Sequence, residues 1–455
     1  MKRRSFMGKI GKISPFLFLP CGAHGANERL QIAAIGVGGK GGSDLQQIAR
    51  HGDLVAACDI STQRLDYALR NYPKAAKFND YREMFSHMGD KIDVLSISTP
   101  DHIHAHAAQI AINQGIHLFI QAPLAHSFWE VSQLVKATSD RKICTQLGLQ
   151  GWGSDEFRIA VEYLVSGELG NVEEVHAWTN RPLWPQSPDI TERLSGTHSL
   201  PSGFHWDVFL GPAEKRPYHR GYQPYNWRGW RAFGSGALGD VGCHLLNLPI
   251  AGFERLQLSK VNCLSVGPVN HETYPAWGTV RFDFLDGMNS RKVPLFWYEG
   301  RIGHLSKTIP GKANLPAADL FLGRDISPNG CLIRCTKGTI YSTSIYGIQW
   351  ELNIEGKWLK QAEIAKPKQV FPRNGRGDEG MKDELVYAIR KGKPNIAVAN
   401  LNYTKKLSEI TILGNIALYA GGSFKWDSSS LTTNRPEVNN LLTKSYRYGW
   451  KVKSA

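Results

Sequence analysis

Three glycines near the beginning of the chain have the spacing needed to bind a dinucleotide. Gly36, Gly38 and Gly41 form the pattern G-x-G-x-x-G between an apolar run at 32–35 and a predicted helix at 43–50. In such a turn the first glycine permits a tight bend, the second lets a pyrophosphate approach the backbone, and the third lets helix and strand pack closely. Because the chain has 46 glycines, the order of strand, turn and helix is more specific than the glycines alone. We predict a dinucleotide site; the alternative is a glycine-rich loop without a ligand.

Asp59 indicates which dinucleotide binds. It ends a second apolar run at 54–58 and lies roughly twenty residues past the glycines, where a carboxylate binds the hydroxyls of the adenosine ribose. A carboxylate repels the 2′-phosphate of NADP, so we predict NAD. Arg64 lies close downstream and keeps NADP open as the alternative.

The histidines and cysteines form no metal-binding pattern. His102 and His106 are one turn apart in a predicted helix, but no H-E-x-x-H glutamate accompanies them and no third ligand is evident. The seven cysteines show no C-x-x-C pair and no zinc spacing. We therefore predict no metal site.

The elements that must hold these residues alternate between strand and helix through about residue 150. Further strands are predicted at 92–98, 116–120 and 143–147. This alternation is typical of a doubly wound parallel sheet, so we predict a Rossmann domain over 29–150. With 455 residues the chain is too long for one ordinary core.

Residues 151–455 have a different character, and we predict a second, α+β domain that binds substrate. Strands of a large, mainly antiparallel sheet are predicted at 172–179, 277–284, 293–298 and 331–336, with amphipathic helices at 381–391 and 405–419. A long segment rich in proline and tryptophan lies between them, and ordered loops of this kind usually shape a site.

This aromatic segment, residues 181–230, contains side chains that could stack on a sugar ring or donate to its hydroxyls. The alternative for each is packing within an irregular segment. The candidates are Arg181, Trp184, Tyr225, Trp227 and Arg228. A helix predicted at 236–249 follows, in which Asp240 and His244 are four residues apart and share one face.

Composition and charge narrow the class of protein. Hydrophobic residues make up 42% and charged residues 21%, as in globular proteins. The formal charge is +14, but lysine and arginine are spread along the chain, which favours a basic surface over a nucleic-acid interface. We predict neither a nucleic-acid partner nor a transmembrane span.

The N-terminus suggests export. The sequence MKRRSFMGK has paired arginines followed by Ser and Phe and is similar to a twin-arginine signal. We therefore predict a signal segment at 1–28 and a periplasmic location. The alternative is an ordinary basic N-terminus on a cytoplasmic protein.

Several longer stretches resemble the Gfo/Idh/MocA family, the sugar and cyclitol oxidoreductases. They are the glycine turn, TPDHIHAH at 99–106, QAPLAHS at 121–127, HAWTNRPLWPQ at 176–186, HWDVFLGPAEKRPYH at 205–219, YNWRGW at 225–230 and GALGDVGCH at 236–244. The resemblance implies a Rossmann domain, a C-terminal domain whose open sheet covers the nicotinamide, a carbohydrate substrate and a homo-oligomer. It also implies that Thr99, Pro100, His102 and Gln121 contact the cofactor.

The resemblance also implies catalytic residues, and here the chain departs from the family. The family's D-x-G-x-H helix is matched by Asp240 and His244, although Asn247 stands where a further aspartate is usual. A family segment of Glu-Lys-Pro or Gln-Lys-Pro supplies a lysine beside the reacting carbon. Its lysine is replaced here by Ala122.

Oxidation of a secondary alcohol requires removal of the hydroxyl proton while hydride leaves for the nicotinamide. A lysine would stabilise the alkoxide and relay that proton, whereas Ala122 can do neither. His244 could serve as general base, held by Asp240, because an unperturbed histidine pKa of about 6.5 suits that role. The alternative for this pair is a helix-capping carboxylate and a satisfied core histidine.

We interpret the chain as an exported NAD enzyme that acts on a sugar or glycoside by removing a hydride and returning it. The NAD-dependent α-N-acetylgalactosaminidases, which this chain resembles, oxidise a ring carbon, eliminate the aglycone, add water and reduce again. Two alternatives remain: a simple sugar or cyclitol dehydrogenase, and a catalytically impaired sugar-binding protein. Ala122 counts against the first, and the intact pair of Asp240 and His244 counts against the second.

Overall fold

The structure is a computed structural model and describes residues 29–452 except 197, 254, 287–290 and 307. The predicted signal segment at 1–28 lies outside the described residues. No helix in the described part of the chain is long and apolar enough to cross a membrane.

The N-terminal domain is a six-stranded parallel sheet with helices between its strands, as predicted. Its strand order is β3-β2-β1-β4-β5-β6. The strand order reverses between β1 and β4, which run parallel. Sheets of this kind bind ligands at that point, beyond the carboxyl ends of the strands. The elements are β1 (Leu30–Ile35), α1 (Lys40–Ile48), β2 (Gly52–Cys58), α2 (Thr62–Ala68), β3 (Ala76–Phe78), α3 (Tyr81–Met88), β4 (Val94–Ile97), α4 (Asp101–Asn113), β5 (His117–Ile120), α5 (Phe128–Arg141) and β6 (Thr145–Leu147).

The C-terminal domain is built on an eleven-stranded sheet of order β15-β14-β13-β12-β7-β10-β9-β8-β16-β17, with β11 paired to β10. Its strands pair antiparallel except β7 and β10, so the predicted large, mainly antiparallel sheet is confirmed. The strands are β7 (Val172–Thr179), β8 (Leu256–Val266), β9 (Trp277–Asp286), β10 (Lys292–Ile302), β11 (Lys312–Ala313), β12 (Asn329–Cys335), β13 (Gly338–Ser342), β14 (Trp350–Ile354), β15 (Lys357–Lys360), β16 (Ser423–Asp427) and β17 (Thr432–Thr433).

Helices of this domain contact its sheet, and two of them also contact the first domain. The helices of the domain are α6 (Asp155–Ser166), α7 (Trp206–Leu210), α8 (Gly236–Asp240), α9 (Gly242–Leu245), α10 (Asn247–Ala251), α11 (Gly377–Lys391), α12 (Leu401–Ala420) and α13 (Pro436–Asn439). Helix α12 packs on α5 of the first domain, and Trp450 near the C-terminus packs on Tyr81 and His106. One hydrophobic core therefore runs through both domains.

The segment 236–249 differs from the single helix that its pattern predicts. It forms three short helices, with breaks at Val241 and Leu246. Glycines are poor helix formers, and Gly239 and Gly242 stand close to the first break, which weakens a continuous helix there. The change of direction places Asp240 at the end of α8 and His244 within α9, and both still face one cleft.

Candidate active site

A cleft of about 2050 Å³, partly open to solvent, lies between the glycine turn and the elements of the C-terminal domain. Among the predicted site residues, the structure brings together in its lining Gly36, Gly38, Gly41, Asp59, Thr99, Pro100, Gln121, Arg181, Tyr225, Trp227, Arg228, Asp240 and His244. His102 and Trp184 do not line it. Ala122 does, and no cationic side chain replaces the family lysine at that position.

The glycine turn has the shape of a dinucleotide cradle. A Cβ on Gly36 would lie 2.4 Å from the Ser98 carbonyl oxygen, and one on Gly41 would lie 2.0 Å from the Gly36 carbonyl oxygen. Gly36 also has a φ of 79°, a value that favours glycine. Helix α1 begins here without a side-chain cap, so its first N–H groups can bind an anionic pyrophosphate. These features fit NAD.

Asp59 closes the other side of this cradle. One carboxylate oxygen accepts a hydrogen bond from the Val37 N–H at 3.0 Å, and the other accepts one from the Ser61 N–H at 2.9 Å. Burial raises the pKa of Asp59, and the two backbone donors oppose that rise. The carboxylate thus fixes the glycine turn while it lines the cleft, next to Arg64.

We expect Asp59→Ala to weaken NAD binding by about ten- to a hundredfold, the range for losing hydrogen bonds to a charged group. It should also narrow the preference for NAD over NADP, because the charge that repels a 2′-phosphate is gone. Asp59→Asn is the matched control, which removes the charge and keeps an acceptor for the turn. Titration of both nucleotides by calorimetry measures the two effects. Equal affinities for NAD and NADP in the wild type would contradict this role.

Beneath the cradle lies a buried ion cluster that the sequence did not reveal. The Lys382 ammonium, which is fully buried, contacts Asp44 and Asp378 at 2.8 Å each. Lys40, within the glycine turn, also contacts both carboxylates, Asp378 at 2.7 Å. Burial lowers the pKa of Lys40, but attraction to Asp44 and Asp378 outweighs this and raises it. The cluster therefore ties α1 to α11 and keeps a charged ammonium in the cleft lining.

Gln121 belongs to the same network. Its amide donates to Asp44 at 2.8 Å, as does the Ser98 hydroxyl at the same distance. The Gln150 amide donates to the Gln121 carbonyl oxygen at 3.4 Å. Gln121 is therefore held in a fixed orientation at the cleft, beside Ala122.

His244 is neutral and has a free nitrogen. Its Nδ1 is buried and has no hydrogen-bond partner among the described residues. Burial lowers its pKa to about 4, against the opposing attraction of Asp240. The Tyr346 ring packs edge-on against it at 5.1 Å between centroids. A neutral imidazole with an unused nitrogen can accept a proton from a ligand hydroxyl.

Asp240 is held by a guanidinium. Arg228 Nε donates to the Asp240 carboxylate at 2.9 Å, and the Arg228 guanidinium also stacks on the rings of Tyr225 and Trp227. The stack fixes the orientation of the arginine, so the Asp240 carboxyl group is held in a defined place.

Asp101 is a site residue that the sequence reasoning missed. It lines the cleft at the start of α4, and its Oδ2 is buried with no described partner. Burial, together with the charge of Asp240, raises its pKa to about 8. Near neutral pH its carboxyl group is protonated and can donate a hydrogen bond. Its position within the TPDHIHAH motif was the available signal.

The aromatic segment forms one wall of the cleft and contributes most of the predicted substrate residues to it. Arg181 donates to the Tyr225 hydroxyl at 3.1 Å, and both line the cleft. Trp184 is only 4% exposed. It donates to Gln186 and packs behind the Tyr225 ring, so it supports the wall.

The side chains of His102 and Asn247 are buried and contact other groups of the protein rather than the cleft. The two ring nitrogens of His102 contact the carbonyl oxygens of Phe233 and Phe209, and burial lowers its pKa to about 3. Asn247 accepts a hydrogen bond from the Tyr403 hydroxyl at 2.6 Å in the core, where a charged aspartate would be costly. No group of three or more potential metal ligands is found in the described part of the chain.

Comparison with known proteins matches the two domains to two family models. Residues 30–149 match the Gfo/Idh/MocA oxidoreductase family, NAD-binding Rossmann fold, and residues 186–290 match its C-terminal alpha/beta domain. The first match and the cradle geometry make the N-terminal domain an NAD-binding Rossmann domain.

Three similar proteins are informative. Glycosyl hydrolase family 109 protein 1 of Shewanella sp. strain ANA-3 is 34% identical over 165 residues, 33% of this chain and 36% of that protein. Inositol 2-dehydrogenase of Salmonella agona strain SL483 is 28% identical over 153 residues, 32% of this chain and 45% of that protein. The matches thus span less than half the length of these two relatives.

The crystal structure of the WlbA dehydrogenase from Bordetella pertussis in complex with NADH and UDP-GlcNAcA superposes with a TM-score of 0.58 at 14% identity, over 88% of this chain and 99% of that one.

Proposed function

The chain belongs to the Gfo/Idh/MocA family of oxidoreductases, and on that premise we propose that it is an NAD-dependent enzyme that oxidises a sugar or glycoside only transiently. The reaction would be glycoside cleavage or epimerisation. One observation carries the proposal: Asp240 and His244 face the cofactor cradle across one cleft, whereas Ala122 leaves the family's lysine position without a cation. The glycosyl hydrolase named among the relatives supports a glycoside as substrate.

NAD, when bound, would take a hydride from a ring carbon and give it back. His244 would accept the proton of the hydroxyl on that carbon at its unpartnered Nδ1. Asp240, fixed by Arg228, would stabilise the imidazolium that forms. Arg181 and the rings of Tyr225 and Trp227 would hold the sugar in place.

A temporary ketone makes the neighbouring C–H acidic, so a group on the next carbon can be eliminated or its configuration inverted. Such a cycle restores the cofactor and requires no exchange of nucleotide. It therefore suits a protein exported with NAD already bound. Export to the periplasm and assembly as a homo-oligomer are part of the same proposal.

To test the proposal, the purified protein is denatured to identify its nucleotide and is then incubated with candidate glycosides in D₂O. We expect NAD to be released, deuterium to enter the carbon beside the oxidised position, and no NADH to accumulate. Stoichiometric NADH with a keto-sugar product and no incorporated deuterium would overturn transient oxidation. A failure to turn over any sugar tested would favour a sugar-binding protein.

A simple sugar dehydrogenase is the second candidate, and Lys40 favours it. Its ammonium lines the cleft and is close enough to His244 to lower the pKa of that histidine. It could supply part of the positive charge that Ala122 lacks. The D₂O experiment distinguishes the two reactions.

We expect a bell-shaped pH dependence of kcat/KM. His244 must be neutral to accept a proton, so activity should fall as the pH drops through its pKa of about 4. Ionised Asp101 would place a second negative charge beside Asp240, so activity should also fall as the pH rises through about 8. Asp101→Asn cannot ionise and should lose the alkaline limb while it keeps the acidic one. An unchanged alkaline limb in Asp101→Asn would refute this assignment.

A further inference from the structure

A second cavity, of about 780 Å³ including its open mouth, lies behind α8 and shares no lining residue with the active-site cleft. It is enclosed by the loop before α5, the loop before α8, helix α12 and the C-terminal segment. Nothing in the proposed reaction uses it. We propose that this cavity binds a small oxyanion, a phosphate or carboxylate group, through Arg231.

Arg231 supplies the main charge. Its guanidinium lies over the Tyr419 ring at 3.8 Å and beside the Tyr274 ring at 5.3 Å. The guanidinium donates no hydrogen bond to any other described residue. Because aromatic rings cover its faces, its in-plane N–H groups remain available, and this planar fork matches the geometry of phosphate and carboxylate oxygens.

A second cation in the cavity has spare donor capacity. Lys444 contacts the Glu130 carboxylate at 3.0 Å and His126 Nδ1 at 3.3 Å, which leaves one of its three N–H groups. The other nitrogen of His126 contacts the Gly234 carbonyl oxygen at 2.7 Å. Burial, helped by the charge of Lys444, keeps the pKa of His126 well below its usual value, so His126 adds no charge.

The nearby carboxyl groups do not oppose an anion. Glu130 already accepts hydrogen bonds from the His126 and Ser127 N–H groups and from the Tyr446 hydroxyl, besides its contact with Lys444. Asp101, beside Ser235, is protonated near neutral pH. The cavity therefore offers a net positive charge of one guanidinium.

Ser235 is a buried residue in the lining of the cavity. The residue is 7% exposed, and its hydroxyl lies next to the carboxyl group of Asp101, whose pKa it lowers. Hydroxyl groups rotate to suit their partners, and an oxyanion held by Arg231 would accept this proton in place of the neutral Asp101 carboxyl group. Ser235 precedes α8, so such a ligand would contact the helix that ends at Asp240.

The test titrates the full-length protein with inorganic phosphate and, separately, with glucuronate, by calorimetry at constant ionic strength. We expect saturable binding of at least one of them, and the stronger one identifies the oxyanion class. Arg231→Gln should weaken that binding by about ten- to a hundredfold, the range for a charge-assisted hydrogen bond. Ser235→Ala should weaken it less.

Arg220→Gln is the matched control, because it removes the same charge from an exposed arginine outside the cavity and should leave the affinity unchanged. Thermal unfolding of each variant shows that it folds, and a bound oxyanion should raise the unfolding temperature only where Arg231 is intact. The absence of saturable binding of either anion to the wild type, or equal affinities for wild type and Arg231→Gln, would overturn the proposal. Neither result depends on the enzyme's reaction.

Discussion

Replacement of His244 by alanine is expected to lower turnover by ~10²–10⁴-fold, the usual contribution of a positioned acid–base group. The structure gives the reason: its neutral ring has an unpartnered nitrogen in the cleft, opposite the glycine turn. The affinity for NAD should stay nearly intact, because Asp59 is held by the backbone N–H groups of Val37 and Ser61 and not by this side chain. Steady-state kinetics and nucleotide titration of the same preparation measure both quantities.

His87→Ala is the matched control, since His87 is exposed on α3 and lies outside the cleft. It should change neither quantity. Survival of activity in His244→Ala would show that His244 is not the base. A parallel loss of NAD affinity would point instead to a collapsed cleft.

A single methyl group at Gly38 is expected to weaken NAD binding by about 5- to 150-fold, which corresponds to the ~1–3 kcal/mol that overpacking usually costs. At this glycine a Cβ meets only the flexible side chain of Arg64, at 2.9 Å, so the fold can accept it. The methyl group would occupy the space through which a pyrophosphate approaches the backbone. Calorimetric titration of Gly38→Ala with NAD measures the loss.

The control is Gly42→Ala, the same change four residues further along. There a Cβ would meet only the Val37 carbonyl oxygen, at 3.1 Å, and α1 should tolerate alanine well. NAD affinity should therefore stay close to that of the wild type. An unchanged affinity in Gly38→Ala would mean that the pyrophosphate does not lie against this glycine.

The first domain could be predicted because its signals are local. Short apolar runs bounded by glycine mark buried strands, and strands β4 and β5 lie within the predicted ranges 92–98 and 116–120. The prediction of one helix at 236–249 was wrong because apolar periodicity continues through glycines that weaken the helix. The prediction that Asp240 and His244 face the same side still holds, because both residues line the cleft.

The part of the site that the sequence did not reveal depends on contacts between distant residues. Lys382 of α11 contacts Asp44 of α1, although the two residues are far apart in the sequence. Tyr346, in the loop between β13 and β14, packs on His244. No local sequence pattern predicts contacts between residues so far apart in the sequence. His102 shows the converse, because a motif position that suggested cofactor contact has both ring nitrogens on backbone carbonyls.

Ala122 remains the decisive departure from the family, and the structure shows no cation built into its place. Lys40 is a charged ammonium in the same cleft lining, but two carboxylates hold it and raise its pKa. Such a group can stabilise negative charge and is a poor relay for protons. A reaction with transient oxidation of the sugar fits a site with Ala122 and an ion-paired Lys40 better than a net dehydrogenation, which must release a ketone in every cycle.

Single-turnover absorbance of the reduced nicotinamide tests transient oxidation most directly. The protein with its bound NAD is mixed with one equivalent of a glycoside that it processes, and the signal is followed until product formation is complete. We predict that the signal rises and then decays to its starting value while the product appears. A signal that rises and stays, with a keto-sugar as product, would contradict transient oxidation.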